Sequence, residues 1–450
     1  MSNKDVNGED NPLNNNEGRA AENNNDASGE KDVCIKKHSG LSRLSKIRTA
    51  AFFISLFLCL TVVFAFSFII PCPERPISEK TWSVQHNNSG HTLWEKPTGF
   101  PAESAVIQPV LKISDVDKDG VEDIMVFLFV ENELQSAIFS GQNGEHIGQR
   151  WRIGTEQPSG YYTHVTKSKA QYVLFYKGGS IVAYSVSELS SHTAGPEAKQ
   201  LSTVQDSDWE AHRNITAECI SLIAPSSSGK ILYILNVPGR YYNNILVVKS
   251  EVSELLDGQK FETLWTVNTT NILSKPALGY FNKDVFSIMM EVETDGNKKK
   301  VFIVDSRSGA IQWEIELNLG IARQNPAVLN TGDHRSTFLF WGMHPPDSNN
   351  SELEENLFMF HPVQPNALLQ LNNHTENIIL FTAALFERSR HSCYILITGP
   401  NTTEDPGTLT ISKRKLKEAI GIGKILWFGT EEVNTEKIRD DYFRIRYSSH

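Results

Sequence analysis

This 450-residue sequence has three main features. They are many short apolar runs separated by turn residues, a tryptophan that recurs behind glycine turns, and one long uncharged stretch. The runs have the length of strands, and almost none continues with the 3.6-residue period of a helix. They predict an all-β domain, and the recurring tryptophan favours a β-propeller, in which each repeat forms one small sheet. We expect one transmembrane helix and a disordered N-terminal tail to precede this domain.

The predicted tail comprises residues 1–49. It contains no Phe, Tyr or Trp and holds clusters of asparagine. A segment of this composition cannot bury enough apolar surface to offset the entropy lost on ordering. Basic and acidic residues balance within the tail, so the net charge of −10 belongs to the rest of the chain. An acidic domain repels phosphate backbones, which excludes nucleic acid as an expected partner.

The predicted membrane span is residues 50–70, AAFFISLFLCLTVVFAFSFII, which contains no charged residue. At about 1.5 Å of rise per residue, a helix of this length crosses a bilayer core of roughly 30 Å. Basic residues crowd the N-terminal side of the span, whereas Pro71-Cys72-Pro73 follows it. The positive-inside rule then places the N-terminus in the cytosol. We therefore predict a single-pass type II membrane protein of the plasma membrane or the secretory pathway, with its C-terminus outside the cytosol.

Acceptor motifs for N-glycosylation agree with this orientation. The motif Asn-x-Ser/Thr occurs only after the predicted span, although the tail is rich in asparagine. This asymmetry predicts glycosylation in an extracellular or lumenal domain. The predicted acceptors are Asn87, Asn214, Asn268, Asn349, Asn373 and Asn401.

Three cysteines fall in the predicted oxidising compartment, Cys72, Cys219 and Cys393. An odd number leaves at least one without an intrachain partner. Cys219 and Cys393 could pair and leave Cys72 for a disulfide-linked dimer, but the spacing alone does not decide the connectivity.

Residues 71–86 are predicted to form a membrane-proximal stalk, and residues 87–450 the propeller-like domain. Residues 442–447 alternate charged and apolar side chains, so we expect a half-exposed strand that completes the first blade and closes the ring. The other predicted strands include 126–130, 171–176, 181–184, 231–235, 301–304, 378–382 and 394–398.

The repeated unit is a small or acidic residue, a glycine turn and a tryptophan. Its clearest copy is residues 301–315, where a strand (VFIVD), a turn (SRSG) and a second strand (AIQWEI) form one hairpin. The spacing of the tryptophans suits one propeller blade with loop insertions. Trp94, Trp151, Trp265 and Trp313 fit the pattern, whereas Trp209 lacks the glycine turn.

Residues 115–123, DVDKDGVED, carry the strongest chemical motif. Alternating carboxylates with a glycine at the sixth position let a tight loop direct oxygens at Ca²⁺, which accepts six to eight of them. The predicted ligands of this single structural Ca²⁺ are Asp115, Asp117, Asp119, the carbonyl of Val121, and Asp123. An EF-hand would need Glu at the twelfth position, where Val126 stands, so the loop is predicted to join two strands. A solvated acidic turn without metal is the alternative.

The acidic loop followed by a strand resembles the FG-GAP repeats of integrin α-chain propellers, and the hairpin at 305–313 resembles a quinoprotein-type blade. With the span and the segments FLFWGMH, LFMFHP and ILITGP, the chain resembles the FG-GAP-repeat-containing membrane proteins of the family-with-sequence-similarity 234 group. The resemblance implies a propeller without a defined biochemical activity, and a calcium loop that stabilises a blade on the face away from a ligand. The chain departs from the group because only residues 83–89 separate Trp82 from the hairpin at 90–94, where the group carries another acidic loop.

Two classes of function remain open. The first is a calcium-stabilised, glycosylated binding module that meets a protein or glycan at the cell surface. The second is a Golgi-type glycosyltransferase, in which Asp115-x-Asp117 would hold Mn²⁺ and a sugar nucleotide, although the sequence lacks the alternating strands and helices of a nucleotide-binding domain. The basic run at residues 413–417, KRKLK, is typical of a solvated face, with sulfated glycans or lipid headgroups as alternative contacts.

Overall fold

The computed structural model describes residues 40–64, 82–86, 104–195, 204–214, 219–223, 229–283, 285–320, 324–343, 355–374, 377–386, 391–399 and 409–448. The chain divides into two compact units, Met1–Glu74 and Arg75–His450. The first unit contains helix α1, Gly40–Phe64. Residues 40–49 are therefore helical, and the prediction of a disordered tail was wrong for them, because the helix begins ten residues before the uncharged stretch. Residues 1–39 lie outside the described part of the chain.

The predicted span at residues 50–70 overlaps α1 as far as Phe64, and residues 65–70 lie outside the described part. Where the structure is described, none of the helices combines the length and the apolar character that crossing a bilayer requires.

The second unit is built from antiparallel hairpins that follow one another along the chain. Strand β1 (Trp82–His86) precedes them. The first sheet contains β2 (Ala105–Ile113), β3 (Asp123–Val130), β4 (Glu133–Phe139) and β5 (His146–Gly154). The second contains β6 (Gly160–Val165), β7 (Gln171–Lys177), β8 (Ser180–Ser185), β9 (Arg213–Asn214) and β10 (Cys219–Ile223), with helices α2 (Val186–Ala194) and α3 (Ser207–Glu210) between β8 and β9.

The third sheet contains β11 (Ile231–Pro238), β12 (Asn243–Lys249), β13 (Val252–Leu256) and β14 (Thr263–Asn268). Two further meanders, joined by the pairing of Asn318 with Met343, form the fourth sheet. Their strands are β15 (Ala277–Asn282), β16 (Val285–Thr294), β17 (Lys298–Asp305) and β18 (Ile311–Asn318), then β19 (Ala327–Asn330), β20 (Ser336–Met343), β21 (Glu355–Phe360) and β22 (Ala367–His374).

The last sheet contains β23 (Asn377–Phe386), β24 (His391–Gly399) and β25 (Leu409–Lys415), and β1 from the start of the unit pairs with β25. Three elements follow the last sheet: helix α4 (Leu416–Ile422), strand β26 (Lys424–Trp427) and helix α5 (Thr435–Arg444). Strand β26 pairs with β22 of the fourth sheet. These sheets confirm the predicted β-propeller, and each of the strands predicted above between residues 126 and 398 lies in one of them.

Apolar side chains pack between successive sheets. Five clusters of buried apolar side chains follow the chain order. Each cluster takes side chains from two successive groups of strands, from β2–β4 at the first to β23–β24 at the last. Because a sheet in this arrangement is covered on both faces, its inner strands lose the alternation of buried and exposed residues. Every residue of β20, STFLFWGM, is buried for this reason.

The recurring tryptophans join one sheet to the next. The indole Nε1 of Trp265 on β14 donates a 2.9 Å hydrogen bond to the carbonyl of Ser306, in the turn between β17 and β18 of the following meander. Trp313 on β18 donates in the same way to Pro365, and Trp209 on α3 to Gly258. Trp151 on β5 instead stacks on His192 of α2, with ring centroids 4.3 Å apart. Trp94 lies outside the described residues.

Two boundary predictions differ from the structure. Strand β1 lies within the segment assigned to the stalk, residues 71–86, so the propeller domain begins before residue 87. The predicted strand at 442–447 was wrong, because residues 442–444 end helix α5. The Asn434 side chain caps that helix, and the Tyr442 hydroxyl donates to the carbonyl of Ala367. The terminal pairing in the last sheet comes from β1 instead.

Candidate metal centre

The acidic loop connects β2 to β3, as predicted. Its backbone N–H groups point at its own carboxylates: Lys118 N and Gly120 N donate to the two oxygens of Asp115, at 2.6 and 2.8 Å. Lys118 and Gly120 have φ angles of 65° and 89°, in the left-handed region. These turns let a loop of few residues direct several carboxylates to one side.

The structure brings Asp115, Asp117 and Asp123 together, with one carboxylate oxygen of each within 4.8 Å of the others. Oxygen ligands at the 2.3–2.6 Å typical of Ca²⁺ are separated by up to roughly 5 Å across the ion, so this spacing fits one shared cation. The Asp119 side chain is not in the group, because its oxygens accept from Val121 N at 2.8 Å and from Ser140 Oγ at 3.0 Å. The side chain of Val121 is exposed.

Asp123 is the buried member of the cluster. Burial raises the pKa of its carboxyl, and the negative charges of Asp117 and Asp115 raise it further, against hydrogen bonds from the backbone of Val116 and Gly141 that lower it. Three carboxylates this close repel one another, and a divalent cation between them would remove that repulsion. The donor set therefore fits a hard cation.

The turn between β4 and β5 supports the loop from outside. Ser140 Oγ donates to Asp119, and Gly141 N donates to Asp123 Oδ1 at 3.2 Å. A Cβ on Gly141 would collide with the carbonyl of Glu122, so only glycine allows this approach. Gly141 belongs to the glycine turn that precedes Trp151 in the tryptophan repeat, and the sequence did not predict its contact with the acidic loop. The two segments meet only after β3 pairs with β4.

The other predicted sites are dispersed. Cys219 and Cys393 are free and buried, on strands of different sheets, so the structure does not contain the disulfide between them. Asn214 and Asn268 are exposed acceptors, and Asn268 Oδ1 accepts from the hydroxyl of Thr270 in its own motif at 2.8 Å. Asn373 lies on β22. The remaining predicted positions, Cys72, Asn87, Asn349 and Asn401, fall outside the described residues.

Comparison with known proteins identifies the family. A sequence model described as "FAM234A/B beta-propeller" matches residues 78–448. The chain belongs to the FAM234A/B β-propeller family. The match includes β1 and the acidic loop, and it therefore agrees with a propeller domain that begins before residue 87.

Individual FAM234 proteins are similar over the same region. Protein FAM234A of Homo sapiens is 30% identical, with 100% of both chains covered. The alignment spans 557 positions, more than the 450 residues of this chain, so the human protein contains segments that this chain lacks. Protein FAM234B of Gallus gallus is 28% identical over 81% of this chain and 62% of its own length. Among solved structures, the WD40 domain of SCAP from fission yeast gives a TM-score of 0.35 at 11% identity, covering 70% of this chain and 74% of that one.

Proposed function

We propose that this FAM234-family protein is a single-pass type II membrane glycoprotein whose propeller binds a protein or glycan partner outside the cytosol. Ca²⁺ held by the loop at residues 115–123 stabilises the first sheet in this proposal. The observation that carries the metal assignment is the convergence of Asp115, Asp117 and Asp123 on one point. The loop and its supporting turn connect strands at one end of the first sheet, which suits a structural ion rather than a reactive centre.

The described part of α1 does not by itself meet the requirements of a span, but the exposure of its apolar side chains supports the membrane topology. Phe52, Phe53 and Phe57 are each about two-thirds exposed, and the neighbouring Leu and Ile side chains are 46–61% exposed. In a helix surrounded by water such exposure has a large free-energy cost, whereas in a bilayer the same side chains contact lipid. The exposed acceptors Asn214 and Asn268 support a lumenal propeller.

The glycosyltransferase alternative has less support. The described sheets pair antiparallel throughout, whereas a nucleotide-binding domain of the doubly wound type needs parallel strands with crossover helices. The third carboxylate of the cluster, Asp123, also lies outside an Asp-x-Asp motif. We therefore propose a binding protein without catalytic activity.

The decisive experiment is thermal unfolding of the full chain in detergent, in calcium and in chelator, for the wild type, Asp117→Ala and Asp295→Ala. Asp117 is exposed and belongs to the cluster, whereas Asp295 is an exposed carboxylate in the turn between β16 and β17 and serves as the matched control. At a calcium concentration about 100 times the dissociation constant, binding would stabilise the fold by roughly 2.7 kcal/mol.

We expect calcium to raise the melting temperature of the wild type and of Asp295→Ala, and to leave Asp117→Ala nearly unchanged. Equal melting temperatures in calcium and chelator for a folded wild type would refute the metal site. A rise seen only with Mn²⁺ and a sugar nucleotide would favour the glycosyltransferase instead.

Topology needs a separate measurement. Expressed in cells, the protein should lose mass on treatment with peptide N-glycosidase. Protease added to intact cells should cut a propeller at the cell surface, whereas protease added to sealed microsomes should not reach a propeller in the lumen. A protein without N-glycans would contradict the proposed orientation.

A further inference from the structure

Two adjoining cavities lie on either side of the segment that follows α5. Gly332 N donates to the carbonyl of Arg446 at 2.7 Å, and Ser448 N donates to that of Asn330, so the segment is fixed against the end of β19. One cavity measures about 510 Å³ and the other about 450 Å³, and both are lined by Ile445 and Arg446. Each has the size of an ordinary ligand site. Together they form a cleft, which we call the C-terminal cleft.

Basic side chains dominate the second cavity. Lys415, Lys417 and Arg446 line it, with Glu418 the one carboxylate among the described lining residues. Lys415 Nζ lies 3.3 Å from Glu418 and forms an ion pair with it, so Lys417 and Arg446 provide the positive surplus. The first cavity adds Arg444, but its lining also includes the carboxylates of Asp333 and Asp441, so the positive surplus belongs to the second cavity. Such a surplus is unusual for a chain with a net charge of −10.

The basic run at 413–417 is therefore more than a solvated face. Lys413 is buried, 1% exposed, and its Nζ lies 4.0 Å from the centre of the Phe386 ring. Because alternate residues of a strand share a face, Lys413 and Lys415 of β25 face the same side of the last sheet. Among the described residues the Lys413 ammonium has no hydrogen-bond partner, so its charge adds to the positive potential on that side.

The ammonium of Lys417 is held in position. It lies 5.3 Å from the centre of the Phe443 ring, in a cation–π contact with α5. A cation held in this way loses less entropy when an anion binds. The hydroxyl of Tyr447 beside the same cavity is buried, so a ligand there would contact the cations and not this hydroxyl.

We propose that the C-terminal cleft binds a sulfated polysaccharide of the glycosaminoglycan type. Sulfates pair with fixed ammonium and guanidinium groups. A chain of sugars can follow the second cavity as far as Arg446, which both cavities share, whereas Asp333 and Asp441 disfavour sulfates in the first cavity. A lipid bilayer is a poorer fit, because Lys417 and Arg446, although exposed, border a concave cleft that a narrow polysaccharide enters more readily than a flat membrane surface does. This inference rests on the proposed function, since such chains meet only a propeller that lies outside the cytosol.

The test is binding of the full chain, purified in detergent, to immobilised heparin at physiological salt, with chemically desulfated heparin as the probe for charge. The cleft variant is Lys417→Glu with Arg446→Glu, and Lys417→Gln with Arg446→Gln is the milder form. The control is Lys283→Glu with Arg307→Glu, which makes the same change of charge at exposed turns of the fourth sheet. Melting temperatures establish that each variant is folded.

We expect the wild type and the control to bind heparin but not desulfated heparin. The Glu variant should lose at least about tenfold in affinity, because two charge-assisted hydrogen bonds are lost. The Gln variant should lose less. Equal losses in cleft and control variants would overturn the inference, as would a folded, glycosylated wild type that does not bind. Binding to anionic phospholipid vesicles that depends on the same two residues, with weaker heparin binding, would make a membrane the partner. A protein without N-glycans would instead contradict the proposed function.

Discussion

Replacing Gly309 with Ala should weaken the contact that joins the third sheet to the fourth. Gly309 lies in the turn between β17 and β18 with φ at 72°, and a Cβ built there would lie 2.9 Å from Cγ and Cδ2 of Trp265. The same turn provides the carbonyl of Ser306 that accepts from the Trp265 indole. Alanine at this position is therefore disfavoured by the left-handed backbone conformation. Its methyl group would also press against the Trp265 ring, which the hydrogen bond to Ser306 already holds in place.

Two costs add at this position. A left-handed conformation costs a non-glycine residue about 1–2 kcal/mol. Displacing the indole costs roughly 1–3 kcal/mol more, from overpacking and from loss of the hydrogen bond. Gly296 is the matched control, because its φ is 79° and a Cβ there would meet nothing within 4 Å. Gly296→Ala should lower the free energy of unfolding by about 1–2 kcal/mol, and Gly309→Ala by about 2–5 kcal/mol.

Urea unfolding of the full chain at fixed calcium, followed by tryptophan fluorescence and by far-ultraviolet circular dichroism, measures this difference. In a Trp265→Phe background the hydrogen bond is already lost, so the extra cost of Gly309→Ala should shrink. Equal costs at Gly309 and Gly296 would mean that the indole yields freely, and the tryptophan contacts would then not hold successive sheets together.

Three further predictions follow from buried polar groups and from the surface. Burial lowers the pKa of His361 to about 4, whereas an unfolded histidine titrates near pH 6.5. Between these two values the unfolded chain binds more protons than the folded one. The free energy of unfolding should therefore fall by up to about 3 kcal/mol as the pH drops from 6.5 to 4. His361→Gln should flatten that part of an unfolding-midpoint titration, and an unchanged slope would contradict the assignment. Lys299→Met should lower the free energy of unfolding in urea by about 3–5 kcal/mol. It leaves the buried Glu291 carboxylate, which lies 2.7 Å from the Lys299 ammonium, without its ion pair. Adding Glu291→Gln should restore part of the lost stability, and no recovery would argue against the pair. Asn268→Gln should remove one glycan, visible as a faster band on electrophoresis that peptide N-glycosidase treatment makes equal to the wild type, and identical mobility before treatment would show that Asn268 is not used.

The turns that carry the tryptophan repeat show how a local rule can be satisfied by different residues. The turns at Ser140, Asp257 and Asp305 share the same backbone hydrogen bonds, and the fifth residue of each is left-handed. Glycine occupies that position in two of them, but Phe261 occupies it in the third, with φ at 62°. Its ring packs edge-on against Trp209, at 4.8 Å between centroids, and this contact offsets the backbone strain. The sequence pattern finds all three turns, but it finds the third through Gly258 and does not predict that Phe261 takes the left-handed position.

The sequence by itself determined the features that depend on neighbouring residues. Strand-length apolar runs and glycine turns identified the propeller and most of its strands, and the alternating carboxylates of residues 115–123 located the candidate metal loop. Both signals are local, because strand alternation and tight-turn geometry are set within a few residues.

Tertiary structure decided what depends on residues that are distant in the chain. It separated the Asp119 side chain from the other carboxylates by giving it Ser140 as a partner, and it paired β1 with β25 across most of the domain. It also turned the alternating segment at 442–444 into a helix, since Tyr442 is buried against Ala367 and the capped helix satisfies the backbone there. In each case a contact between distant residues provides free energy that the local pattern does not contain.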